Sequence, residues 1–363
     1  MLMLIIVSTV IAALACAVLR RVGGSIARRY SLDMPQRFHA GHVPRLGGAA
    51  MMLGCTAGWG WGLATSSAAA PLTSVQAWGW WLTMLIAAGA GLAEDITHRV
   101  AARWRMLLTV LASVTATASL NLHIGPLDLA VLKPLWAAAP WLGTLLAVVA
   151  VAGLPNAFNL IDGYNGLAGT VALICCLAIA WVALQVGDLE LMVLVLVAAG
   201  ATFGFLLWNY PRGLIFAGDG GAYLWGAVIA VASIQLVQRH EQVSPWFPAL
   251  LLIYPVWETL FSIYRKLARG QSPGAPDALH FHQLIYRRIV RPILHDDPAR
   301  RMLARNNRTT PYLWVLALLA ALPAVVYWRD TSTLMAFCGL FIASYVVAYV
   351  GIVRFKVPRW LRG

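Results

Sequence analysis

The sequence predicts an all-α polytopic membrane protein with about eleven transmembrane helices, its N-terminus periplasmic and its C-terminus cytoplasmic. Three observations predict this. Of 363 residues, 60% are hydrophobic and 11% charged, with a mean hydropathy of +0.73, against about 45–50% and about 25% in soluble domains. Apolar runs of spanning length, roughly 17–25 residues, recur along the whole chain. The positive residues fall almost entirely into alternate loops, as they do when they are retained on the cytoplasmic side.

In order, the runs are 2–19, 46–66, 77–93, 106–122, 138–155, 167–185, 190–208, 222–237, 247–264, 311–328 and 331–353. The first has no positive residue before it and Arg20-Arg21 directly after it, so it reads as a reverse signal anchor rather than a signal peptide. The fourth and eighth are short, and prolines flank the fifth. With the N-terminus outside, 24 of the 27 Lys and Arg residues lie in inner loops or the C-terminal tail. Only Lys133, Arg239 and Arg329 are outer, a split that a missed central helix would scramble. The net charge of +13 therefore reads as topology and attraction to anionic lipid and substrates. Nucleic acid is excluded as a partner, since no soluble basic domain is visible.

All five Cys lie within apolar runs without CxxC spacing and read as small core residues. No repeat or soluble domain interrupts the runs, so 1–363 reads as one integral-membrane domain with a basic cytoplasmic loop at 265–310. Within that loop Leu284, Ile285, Ile289 and Ile293 recur beside Arg287, Arg288 and Arg291. The spacing suggests an amphipathic helix on the inner surface, limited by Pro292, with a solvated linker as the plainer alternative.

Polar residues gather in the inner loops. Asn156-Ala-Phe-Asn159-Leu-Ile-Asp162-Gly-Tyr-Asn165-Gly carries three Asn and one Asp and no Lys or Arg, more amide and carboxylate than a connector needs. Asp33-Met-Pro-Gln-Arg37-Phe-His39 leads into Val43-Pro-Arg45-Leu-Gly-Gly48, and Glu94-Asp95 leads into Arg99, Arg103 and Arg105. Phe216-Ala-Gly-Asp219-Gly-Gly opens a helix, and His280-Phe-His282-Gln sits in the long loop. Each has a bland reading: solvated charge for the acidic pair, a helix N-cap for Asp219, surface residues for the histidines. Co-location on one membrane face favours a site. The chemistry such a set supports is metal-assisted attack on a phosphate, with a hard cation on Asp219 and a side-chain oxygen of the Asn/Asp segment. Arginines and histidines would neutralise the phosphate oxygens.

In this order and spacing the motifs resemble the polyprenyl-phosphate N-acetylhexosamine-1-phosphate transferase superfamily, over Asp33 to about Arg288. The resemblance implies transfer of a sugar-1-phosphate from a UDP-N-acetylhexosamine to undecaprenyl phosphate, with release of UMP at the cytoplasmic face of the bacterial inner membrane. It implies Mg²⁺, with Mn²⁺ as an alternative, held by Asp219 with Asn159 as companion. Asn165 and Phe216 would face the uracil, and Arg105 a phosphate. His280 and His282, with Arg287 or Arg288, would hold the diphosphate or sugar. Glu94, Asp95 and Asp162 take catalytic places, and Asn156, Arg37 and His39 substrate-binding ones. Monomer and homodimer both stay open.

The chain departs from the family at three points. Glu94-Asp95 replaces an Asp-Asp pair, leaving open which acid acts on the lipid phosphate, and Asn165 stands where relatives often carry Asp. His280-Phe-His282-Gln lacks a third His. Together these favour the WecA-like aminosugar branch, which initiates O-antigen and related glycans, over the MraY branch that transfers phospho-MurNAc-pentapeptide. Glu258 lies inside the ninth run, where an acid is a functional candidate by default; its place near the inner boundary suggests a structural or lipid-groove role. A rival class, a transporter or lipid flippase, would put ionisable groups at mid-membrane on repeated halves, and neither is seen here.

Overall fold

The computed structural model describes residues 1–24, 42–65, 72–272, 274, 277, 279–290 and 297–354. Arg37, His39, Pro292 and Ile293 lie outside the described residues. All regular secondary structure among the described residues is helical. The main helices are α1 (Leu2–Val22), α2 (Gly47–Ala64), α3 (Ser74–Thr97), α4 (Ala102–Leu120), a short α5 (Lys133–Ala138), α6 (Trp141–Ile161), α7 (Leu167–Gln185) and α8 (Leu189–Asn209). They continue as α9 (Gly218–Arg239), α10 (Trp246–Leu251), α11 (Ile253–Leu267), α12 (Phe281–Leu284), α13 (Pro298–Val326) and α14 (Thr331–Val353).

Every predicted run coincides with one of these helices or, for the ninth, with two. Among the described residues seven helices are long and apolar enough to cross a membrane: α1, α6, α7, α8, α9, α13 and α14. The other runs fall short for visible reasons. Glycines dilute α2, α3 ends on Glu94-Asp95, and α4 begins with Arg103 and Arg105. The ninth run breaks at Leu252. Pro255 has no N–H to give the carbonyl of Leu251, which weakens the helix at this break.

α9 is the axis of the fold. Of its most apolar window 94% is buried, against 22% in α1 and 28% in α14, so α9 is surrounded while α1 and α14 turn apolar faces outward. It packs on α2, α3, α6, α7 and α8. Trp225 of α9 donates to Thr202 Oγ1 at 3.0 Å between the rings of Phe158 and Phe205. Lipid tails are as apolar as side chains, so such close packing and inter-helix hydrogen bonds, rather than removal from water, hold a bundle of this kind. The five cysteines are free and buried, as the sequence suggests.

Polar contacts collect at the two ends of the bundle. At one end Asp188 pairs with Arg239 and His240, both at 3.1 Å, and Glu190 accepts from the N–H and hydroxyl of Thr73. At the other end meet the starts of α2, α4, α7 and α9 and the ends of α3, α6, α8 and α11. The predicted inner loop 265–310 is ordered differently from the expectation. Phe281–Leu284 continues as a π-turn through Ile289, and Leu284, Ile285, Tyr286 and Ile289 are buried, so the segment packs into the fold rather than lying on a surface. α13 begins at Pro298, capped by Asp297, well before the predicted run at 311. Pro311 does not stop it, and the polar first half of this helix belongs to the site end.

Candidate functional site at one end of the bundle

The site is built around the first turn of α9. Phe216 and the segment before α2 bind each other through the backbone: Phe216 N–H donates to Pro44 O at 2.9 Å, and Gly47 N–H to Phe216 O at 2.8 Å. Gly48 N–H donates to Ala217 O at 2.9 Å. Gly218 then takes φ +70, a left-handed conformation that suits glycine, and a Cβ there would lie 2.3 Å from Asp95 Oδ2. On α3, Gly91 lets the helix touch the same turn; its Cβ would stand 2.3 Å from the backbone carbon of Asp219.

Asp95 fills the space so made. Its carboxylate accepts the backbone N–H groups of Asp219 at 3.1 Å and Gly220 at 2.9 Å, two of the donors that a helix start leaves unpaired. Asp219 is therefore no N-cap itself; it sits inside the first turn and points its carboxylate at other side chains. Oδ1 accepts from Arg45 Nη2 and from Asn159 Nδ2, each at 2.9 Å, and Oδ2 pairs with Arg105. Arg45 Nε also reaches Asp95 Oδ1 at 3.2 Å. Three segments far apart in sequence, bearing Arg45, Arg105 and Asn159, thus converge on one carboxylate.

The neighbouring acid behaves otherwise. Successive helix positions point about 100° apart, and Glu94 accepts the N–H of Val100 at 2.7 Å instead of a donor of the α9 turn. Asp162 ends α6 as its C-cap. Burial pushes its carboxyl up to about 7, with Arg45 opposing and the charge of Asp219 adding to the rise.

The remaining predicted residues are placed as follows. Asn156 turns its amide back to Ala152 O at 3.0 Å. Asn165 is buried, with its side chain 3.3 Å from Asn307 Oδ1 and its backbone bonded to Asn306 and Thr310 of α13. It ties the Asn/Asp segment to α13. Phe216 is half-buried. His280 and His282 are buried and stacked, with centroids 5.4 Å apart and planes 9° apart. His282 lies against Gly163, where a Cβ would be 3.0 Å from Nε2, and edge-on to Tyr164. Burial holds His282 down to about 3, so its ring is neutral. Arg287 is exposed, whereas Arg288 Nη1 donates to the carbonyls of Ile352 and Val353 at 2.7 Å each, at the end of α14.

Arg45 is the residue that sequence reasoning left without a role. It was visible as an inner-loop charge beside Gly47-Gly48, but its two carboxylate partners come from α3 and α9 and no local spacing gives them. Glu258 is likewise nearer the site than expected, for it contacts His280.

Mg²⁺ typically takes one or two protein oxygens and completes its shell with water and substrate phosphates. Asp219 and Asn159, side by side at 2.9 Å, fit that habit as a pair of oxygen-bearing groups. Among the described residues no group of three or more His, Cys, Asp or Glu could hold a metal alone. A cation on Asp219 would compete with Arg45 and Arg105 for its oxygens.

Fold and site together define a multi-pass membrane protein with an acid–arginine–amide cluster at one end of its bundle. Residues 77–237, which hold Asp95, Arg105, Asn159 and Asp219, match the sequence model described as glycosyl transferase family 4. The chain is 27% identical over 282 residues to the probable undecaprenyl-phosphate N-acetylglucosaminyl 1-phosphate transferase of Bacillus subtilis, covering 77% of this chain and 76% of that one. It is 25% identical to the decaprenyl-phosphate N-acetylglucosaminephosphotransferase of Mycolicibacterium smegmatis, covering 87% of this chain and 80% of the relative. The undecaprenyl-phosphate alpha-N-acetylglucosaminyl 1-phosphate transferase of Escherichia coli K12 is 29% identical over 150 residues, 40% of this chain and 41% of its own. These matches support the likeness to the polyprenyl-phosphate N-acetylhexosamine-1-phosphate transferase superfamily that the motifs carry.

Proposed function

We propose that the protein transfers an N-acetylhexosamine-1-phosphate, with GlcNAc-1-phosphate the first choice, from a UDP-sugar to undecaprenyl phosphate and releases UMP. The observation that carries this reading is the convergence of Arg45, Asp95, Arg105 and Asn159 on Asp219. The names of the relatives support a polyprenyl-phosphate acceptor and an aminosugar phosphate. The distribution of Lys and Arg supports about eleven spans with the cluster on the cytoplasmic face of a bacterial inner membrane. The product would initiate a cell-envelope glycan such as O-antigen or exopolysaccharide.

In the reaction, an oxygen of the lipid phosphate forms a bond to the β-phosphorus of the donor. The bond from that phosphorus to the bridging oxygen breaks, and UMP leaves with the electron pair. A phosphate monoester has its second pKa near 6, so the attacking group is mostly dianionic at neutral pH. A divalent cation on Asp219 and Asn159 would supply charge neutralisation of the phosphates. Asp95 holds the α9 turn so that Asp219 keeps its place, and Arg45 and Arg105 meet phosphate oxygens as they are released from the carboxylate. Asp162, with its carboxyl near 7, is able to accept a residual proton at a carboxylate oxygen. His280, His282 and exposed Arg287 stand at the sugar–diphosphate side.

A panel assay tests this. Purified protein, undecaprenyl phosphate and UDP-linked GlcNAc, GalNAc, FucNAc, QuiNAc or MurNAc-pentapeptide are incubated with Mg²⁺, Mn²⁺ or EDTA, and UMP is measured. UMP from one aminosugar donor, dependent on lipid and cation, is expected. No UMP from any donor would overturn the reading and leave a transporter as the better account.

A further inference from the structure

Glu258 of α11 is fully buried and takes no part in the transfer as described above. Its surroundings are specific. Oε1 accepts the backbone N–H of Phe281 at 3.1 Å and meets His280 Nδ1 at 3.2 Å. Oε2 accepts the hydroxyl of Tyr345, which reaches it from α14. A carboxyl group among apolar helices is costly unless donors converge on it, and here three do.

A carboxylate can only accept, so the pairing puts the proton of His280 on Nδ1 and leaves Nε2 as the nitrogen available to a ligand. The bond also fixes the ring plane. His280 stacks on His282, and His282 packs on Gly163 and Tyr164, inside the segment that bears Asn159 and Asp162. Carboxylates that hold a histidine in this way set both its tautomer and its direction.

We propose that Glu258 is a positioning residue for His280: it fixes the imidazole as the Nδ1–H tautomer with Nε2 turned to the site, and Tyr345 anchors it from the last helix. The role in turnover rests on the transfer reading, while the tautomer does not. Phe281 gives its N–H to Glu258 and packs its ring on Tyr345, with centroids 4.8 Å apart, so the residue between the two histidines serves the same arrangement.

Two measurements test it. The first needs no substrate: nitrogen-15 spectra of histidine-labelled protein, with His280→Asn to assign the signal, should show His280 in the Nδ1–H form. Glu258→Leu, which removes the acceptor, should shift it. A His280 in the Nε2–H form, or a signal indifferent to Glu258→Leu, would overturn the proposal. The second is a double-mutant cycle on UMP release from UDP-GlcNAc. Glu258→Gln keeps the volume and an acceptor oxygen and can donate to Tyr345, so the variant should fold. It should lose about tenfold or more in kcat, with KM for the donor changed less than about threefold. In a His280→Ala background the same change should cost less than about twofold, since coupled residues are not additive. Full multiplication of the two losses would overturn the proposal. A wild-type protein that releases no UMP fails the transfer reading alone, because the spectra still decide the orientation.

Discussion

Asp95 holds Asp219 by its backbone and not by its side chain: the Asp95 carboxylate takes the N–H groups of Asp219 and Gly220 and so closes the start of α9. Loss of a capping side chain costs about 0.5–2 kcal/mol, typically ~1. A displacement of roughly 1 Å at a positioned group can cost about 10²-fold in rate. Asp95→Ala is therefore expected to lower the melting temperature modestly and UMP release by about 100-fold or more. Asp95→Asn, which offers one acceptor where two are needed, should lie between it and the wild type. Glu94→Gln should change activity far less, because Glu94 accepts the turn N–H of Val100 and Gln keeps that acceptor. Equal losses at Glu94 and Asp95 in an assay of purified variants would contradict this division.

The same turn depends on a missing side chain. A Cβ on Gly91 would stand 2.3 Å from the Asp219 backbone carbon, whereas one on Gly89 would meet nothing within 4 Å. Both lie in α3, where alanine is otherwise favoured over glycine by about 1 kcal/mol. Gly91→Ala should abolish activity and reduce the yield of folded protein, and Gly89→Ala should leave both intact. Activity and detergent-solubilised yield of the two variants check this.

Much of this was legible in the sequence where the signal is local. Spanning runs are continuous, so each of them falls on a helix, and Asp219, Asn159, Arg105 and Asp95 stand out because acids and amides are rare in such a chain. What was not legible is tertiary. Arg45 gains its role from two helices remote in sequence. Asn165 is an amide in a polar segment, but α13 arrives to bury it, and α13 itself starts early because its polar first half packs on the site end instead of dissolving into a loop. The ninth run reads as one span through Pro255, and only the fold shows its break at Leu252 and that the second half carries Glu258 to His280.

Arg287 and Arg288 are adjacent and chemically alike, and the structure separates them. Arg288 gives two 2.7 Å hydrogen bonds to the last carbonyls of α14, where a cation is also favoured by the helix dipole. Arg288→Ala should lower the thermal midpoint, by about 1–3 kcal/mol of stability for bonds from a charged donor, and leave the donor KM near that of the wild type. Arg287→Ala should raise the donor KM with little change in stability. Thermal scans beside Michaelis curves for both variants distinguish the pair; exchanged phenotypes would refute the assignment.

Asp277 gives a pH signature away from the cluster. Burial raises its carboxyl, but the hydrogen bond and charge of Arg265, 2.6 Å away, outweigh this and hold it at about 2. A depressed carboxyl contributes stability that is fully present above its ordinary value near 4 and is lost as pH falls through its folded value. Asp277→Asn should therefore be less stable than the wild type above about pH 4, with the gap closing towards pH 2. Melting temperatures of both proteins across that range check it, and a gap that does not change with pH would count against the pair.

The central claim is that the cluster on Asp219 carries sugar-phosphate transfer. The most direct measurement is UMP release from UDP-GlcNAc and undecaprenyl phosphate by wild-type protein and Asp219→Asn, with the folded state of each verified by thermal scan. The account predicts lipid-dependent UMP from the wild type and a loss of about 10³-fold or more in the variant, in keeping with removal of a metal-holding and charge-organising group. Near-normal UMP release by a folded Asp219→Asn protein would contradict it.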